Sequence, residues 1–97
     1  MAKYVLLGNW TDQGVRDVKN TVKRSRAARE AFAALGVNAR EWFFTLGQYD
    51  VVLTVDAPDD ETLTKAALAL ASQGNLRTTT LRGFSEKEME TLVGALA

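Results

Sequence analysis

Tyr49-Asp50 is the pair in this chain whose side-chain types best suit acid–base chemistry. A phenol could orient a small acidic substrate while the neighbouring carboxylate takes its proton, given a pKa moved by burial. Adjacent strand residues point to opposite faces, however, so the two do not readily act on one atom. The plainer reading is that Tyr49 packs under a helix and Asp50 fixes a turn or pairs with a base. Lys19, Lys23, Arg24, Arg26 and Arg29 form a basic run. An arginine from this run, Arg24 or Arg29, could fork a carboxylate, either Asp50 or that of a ligand. The alternative is a solvated face whose aliphatic stems lie over the sheet edge. Arg77 and Arg82 frame Thr78-Thr79-Thr80, a pattern suited to an edge strand and to bonding between subunits. Asp59-Asp60-Glu61 suits the start of a helix, where carboxylates complement the dipole, better than a metal site. Gly47 is not a phosphate loop, because no glycine-rich run leads from it into a helix.

Composition removes several classes. There is no histidine and no cysteine, so the commonest general base, the commonest transition-metal ligand and thiolate chemistry are all missing. No cofactor is implied. Twelve basic and twelve acidic side chains cancel, which argues against nucleic acid or an anionic membrane as a partner. The longest wholly apolar run, Ala66 to Ala71, is too short to span a bilayer. Tyr4-Val5-Leu6-Leu7 is too short for a signal peptide, so a cytoplasmic protein, mature from Met1, is expected. Ninety-seven residues, 1–97, make one domain with one core.

The elements that must position these residues are organised around Trp42 to Val55. This stretch reads as two strands, Asn38–Leu46 and Tyr49–Asp56, joined by a tight turn at Gly47-Gln48. Alternation puts Trp42, Phe44 and Leu46 on one face with Tyr49, Val51, Leu53 and Val55 on the apolar side of the second strand. Phe43 and Val52 fall on a mixed face. Lys3 to Trp10 is a first strand, apolar on both sides and therefore central. Between Thr11 and Gly36 the stripe Val15, Val18, Val22 is out of phase with Ser25, Ala28, Phe32, Leu35. That predicts a break near Asn20-Thr21: a short turn over 12–19, then a helix over about 21–35. Ala57-Pro58-Asp59-Asp60-Glu61 starts a second helix with Leu63, Ala66, Ala67 and Leu70 as its buried face. Asn75 to Phe84 is a fourth strand. Ser85 to Glu88 is a capping box opening a terminal helix striped by Met89, Leu92, Val93 and Leu96.

Strand, helix, strand, strand, helix, strand is the order of a ferredoxin-like α+β sandwich, with a four-stranded antiparallel sheet and the main helices on one face. The other face would carry Phe43, Val52 and either Tyr4/Trp10 or Val5/Leu7. That is too much apolar surface to leave wet on a monomer.

Three stretches make the chain resemble the GYD-domain proteins, a bacterial family within the dimeric α/β-barrel superfamily. They are Thr45-Leu46-Gly47-Gln48-Tyr49-Asp50-Val51-Val52, Asp56-Ala57-Pro58-Asp59-Asp60-Glu61 and Gly74 to Phe84, with Lys23-Arg24 also fitting. Val22 departs from the pattern, where relatives often carry Pro. The resemblance implies a ferredoxin-like subunit that pairs sheet to sheet into a homodimer or larger homo-oligomer, and it implies no known activity. Three readings stay open. The chain binds a small molecule in a cleft between sheet and helices, with Tyr49, Asp50, Arg24, Trp42 and Phe43 as the residues to test. It is a cofactor-independent enzyme of monooxygenase or isomerase type. Or it is a structural or regulatory oligomeric module. A further expectation is that Asp50 pairs with Arg24, Arg29 or Arg77, at the hairpin turn or across a dimer, since a carboxylate in a covered strand is costly unless paired.

Overall fold

The computed structural model describes residues 1–96. Its elements are β1 (Ala2–Trp10), α1 (Asp12–Arg16), a 3-10 turn (Val18–Asn20), α2 (Thr21–Ala34), β2 (Asn38–Phe44), β3 (Val51–Ala57), α3 (Asp60–Ser72), β4 (Leu76–Gly83) and α4 (Glu86–Gly94). The strands form one antiparallel sheet in the order β2-β3-β1-β4. This is the ferredoxin-like arrangement the element order demands. The break in the first helical region falls where the two apolar stripes change phase, at Asn20-Thr21.

Each start has a visible cause. Thr11 caps α1, its hydroxyl accepting from the Gly14 N–H. Asp59 caps α3 by accepting from the Thr62 N–H at 2.8 Å, so Pro58 lies just before the cap and not inside the first turn. Ser85 and Glu88 form a reciprocal capping box at α4.

Tyr4 and Leu6 from β1, Val51, Leu53 and Val55 from β3, Phe32 from α2 and Leu63 and Ala66 from α3 make the core. Tyr4 therefore faces the helices, and Val5 and Leu7 belong to the open face. There they stand in register with Thr54 and Val52 on β3 and with Leu81 and Thr79 on β4. Phe43 completes the row opposite Val52.

The hairpin departs from expectation. No two-residue turn joins β2 and β3; the chain leaves β2 after Phe44 and re-enters the sheet at Val51. The loop closes on itself through Thr45 N–H to the Asp50 carbonyl (2.8 Å) and the Thr45 hydroxyl to the Tyr49 carbonyl (2.5 Å). Asp50 gives its N–H to the Gly8 carbonyl of β1 at 2.9 Å while its own carbonyl accepts from Thr45, so it ties the loop to both neighbouring strands. Gly47 keeps its expected role, with φ at 101°. Leu46, expected beside Trp42 and Phe44, sits fully exposed at the loop tip. Tyr49, expected in β3 beside Val51, is half-buried in the loop.

The helix α4 also departs. Its stripe of Met89, Leu92, Val93 and Leu96 is exposed, and none of its residues is buried. The molecule measures 53 × 30 × 17 Å, far longer than the roughly 30 Å of a nine-residue strand, because α4 stands off the end of β4.

Candidate functional site

The sheet and α2 enclose a cleft lined by Trp10, Arg24, Ser25, Trp42, Phe44 and Leu76, among others. Its position follows from parity: Trp42 and Phe44 point from β2 toward α2, and Trp10 closes the end of β1. The cleft has a volume of about 40 Å³ at the scale of a water molecule. That holds a water or two, against the roughly 300 Å³ or more of a ligand pocket.

Of the five candidate residues, Arg24 and Trp42 meet in this cleft. The Arg24 guanidinium is already occupied. It donates to the Asp17 carboxylate at 2.7 Å, to the Asp17 carbonyl at 2.6 Å, and more weakly to Gly14 and Thr21. It thereby staples α1 to the start of α2. Trp42 packs at a tilt on Phe32, with centroids 6.3 Å apart, and the Arg29 guanidinium lies 5.4 Å from its ring centroid. The buried Trp42 indole N–H has no hydrogen-bond partner among the described residues. Phe43 is on the other side of the sheet, exposed on the open face. Tyr49 and Asp50 do not line the cleft.

Within the chain, Asp50 does not pair with an arginine at the hairpin turn. The Asp50 carboxylate instead accepts from the Trp10 backbone N–H at 3.0 Å. Arg24 is bound to Asp17, and Arg29 reaches the Ala39 carbonyl at 3.3 Å. A backbone donor removes the cost that made an arginine necessary, since a buried or half-buried carboxylate needs donors and not specifically cations.

The buried carboxylate is elsewhere. Asp56, only 5% exposed, lies at the end of β3 on the open face, bonded to Arg40 and 3.6 Å from Lys3. Lys3 is its register partner on β1. Arg40 is the extra residue where the β2–β3 register shifts between Ala39 and Glu41. Burial alone would push the Asp56 carboxyl up. The Arg40 hydrogen bond and charge, with the Lys3 charge, outweigh it and hold the group below the ordinary carboxylate range. The sequence carried one usable signal: Asp56 follows Val52 and Thr54 on the same face, with Lys3 at matching register.

A second cluster sits at the N-terminal start of α3. The Tyr4 hydroxyl donates to Asp60, and that hydrogen bond, with burial and the Asp60 charge, raises the phenol above its usual pKa against the opposing Arg82 charge. Arg82 lies 5.5 Å from the Tyr4 ring centroid and 4.5 Å from that of Phe84. Arg82 thus packs edge strand β4 over the phenol ring, and Asp59 and Glu61 line the same shallow pocket as Tyr4.

What remains unsatisfied is surface. Val5, Leu7, Val52, Phe43 and Leu81 make an apolar band across the open face, with Phe43 and Leu81 exposed. No helix in the described residues is long and apolar enough to cross a membrane.

An antiparallel sheet covered on one side by α2 and α3, with an apolar open face, defines a ferredoxin-like α+β domain. The crystal structure of MtbAldR shares that fold with a TM-score of 0.67 at 16% identity, over 88% of this chain and about half (52%) of that one. Residues 4–93 match the GYD domain family, and the chain belongs to it. A relative from Thermus thermophilus is 35% identical over 85 residues, 87% of this chain and 90% of the relative. It bears the name glutamine synthetase and cystathionine beta-lyase binding protein.

Proposed function

We propose that the whole chain, residues 1–97, is a cytoplasmic binding module that works through protein–protein contacts and not through catalysis. It pairs with a second copy across the open sheet face, and the pair holds one or more metabolic enzymes. The observation that carries this reading is the contrast between two surfaces. The cleft between the sheet and α2 has room for only a water or two, whereas the open face presents the apolar band of Val5, Leu7, Phe43, Val52 and Leu81. The name of the Thermus relative supports protein partners, and that relative is matched over nearly its full length.

The test is direct binding. The immobilised chain is presented with purified glutamine synthetase and cystathionine β-lyase from its own organism. Micromolar or tighter binding of either supports the proposal. No binding of either at about 100 μM, an affinity too weak to matter at ordinary protein concentrations, rejects it.

A second reading retains a small ligand in the cleft, favoured by the unpartnered Trp42 indole N–H. Such a ligand would offer a hydrogen-bond acceptor to Trp42, and Phe44 or Trp10 would have to move to admit it. A thermal-shift screen with small aromatic and acidic metabolites separates the two, since only a ligand that binds the native state raises the midpoint.

A further inference from the structure

Two apolar stripes in this chain have no partner among the described residues. One is Met89, Leu92, Val93 and Leu96 on α4, all exposed. The other is Val15, Val18 and Val22, which runs from α1 through the 3-10 turn into α2 and is also exposed. Their charged flanks are opposite. Beside the α4 stripe stand Glu86 and Glu90, both exposed, while Glu88 is held in the capping box. Beside the valine stripe stand Lys19, Lys23 and Arg26, all exposed, while Arg24 is held by Asp17.

The two stripes cannot meet within one chain. β4 pairs with β1 from Trp10–Leu76 at one end to Lys3–Gly83 at the other. The valine stripe lies at the Leu76 end, where Thr11 bonds Asn75 and Thr21 and Arg24 line a cleft with Asn75 and Leu76. α4 leaves from the Gly83 end, about 23 Å away along the strand. A nine-residue helix is only about 14 Å long, so even folded back it would fall short. In a second copy whose strands run the opposite way, the two ends coincide. A two-fold axis across the strands achieves this and makes the contact twice.

We propose that α4 is an exchange arm. Its apolar stripe docks on the Val15–Val18–Val22 stripe of a second copy of this chain, with Glu86 and Glu90 facing Lys19, Lys23 and Arg26. The alternative of α4 against α4 of the second copy would set glutamates against glutamates, which like-charge repulsion opposes. The two symmetric arm contacts add to the sheet face toward the roughly 1,200 Å² that a stable pair buries. This proposal rests on the sheet-face pairing above and assigns it an orientation.

The absence of cysteine makes the test clean. Val22→Cys and Val93→Cys are prepared as separate full-length variants, mixed, allowed to exchange, and treated with a short bis-maleimide. The expected product is a covalent dimer containing one of each. Sedimentation of Leu92→Glu should in parallel show a dimer weakened by about tenfold or more, with the melting of the fold unchanged. If the mixture gives no mixed product while the chain sediments as a dimer, the arm is wrong and sheet pairing stands. If Val93→Cys links to itself, the arm orientation is overturned. If the parent chain sediments as a monomer at tens of micromolar, both the arm and the sheet pairing fail.

Discussion

Asp50 and Trp10 are joined by a 3.0 Å hydrogen bond from the Trp10 backbone N–H to the Asp50 carboxylate, across 40 residues of sequence. The Asp50 N–H returns a bond to the Gly8 carbonyl at 2.9 Å. Together they splice the 45–50 loop onto the end of β1. The acceptor matters more than the charge. Asp50→Ala should destabilise the fold by about 1–3 kcal/mol by stranding a backbone donor, whereas Asp50→Asn, which keeps a carbonyl oxygen, should cost less than about 1 kcal/mol. Urea unfolding of the two variants checks this. Equal losses would mean that a cation pairs with Asp50 after all.

Gly14 presses against the backbone of Asn75 so closely that a Cβ would overlap its carbonyl oxygen, although its φ is not in the left-handed region. Backbone cannot rotate away as a side chain can. Gly14→Ala should therefore cost about 3 kcal/mol, lowering the melting temperature by roughly 10 °C or more in a chain of this size. A Cβ at Gly8 would come nearest to Leu76 side-chain atoms, at 3.1–3.2 Å. Gly8→Ala should shift melting by less than half as much.

The Asp56–Arg40 pair predicts the acid limb of stability. The folded Asp56 pKa is depressed, so its contribution is fully present above the unfolded value of about 3.9 and is lost as pH falls through the lower folded value. Arg40→Met should destabilise by about 1–3 kcal/mol at pH 7, and the gap to the parent should narrow toward pH 3. Arg40 is more than half exposed and Lys3 remains nearby, which keeps the figure below that of a fully buried pair. Denaturant midpoints at the two pH values measure it. A gap that does not change with pH would show that the pair does not stabilise the fold.

Val52 and Leu53 are neighbours on opposite faces of β3, one partly buried on the open face and one fully buried. Val52→Glu should give a folded monomer at micromolar concentration, with melting close to the parent subunit's. Leu53→Glu should fail to fold, because it buries a charge without a partner. Light scattering with circular dichroism distinguishes them. A dimeric Val52→Glu would move the pairing surface elsewhere.

Much of the fold was readable because it rests on short-range rules. The break at Asn20-Thr21 follows from two helical stripes out of phase. The caps Asp59 and Ser85 follow from side chains that accept from N–H groups three residues on. The sheet order follows from handed crossovers. The candidate site was less readable. Arg24 and Trp42 reach the same cleft, but Phe43 lies across the sheet from it, and Tyr49 and Asp50 serve the loop.

By itself, the sequence determined what alternation and local chemistry can encode: the strands, the helix starts, the family motif and the surplus of apolar side chains over one core. Tertiary structure alone decided which partner each polar group took. Asp50 met a backbone donor on β1 before it could meet an arginine. Asp56, opposite Asn38 in the ladder, met Arg40 because the register shift left that residue without a strand partner of its own. Spacing along a chain says which face a side chain leaves from. It does not say which donor, far away in sequence, will be waiting there.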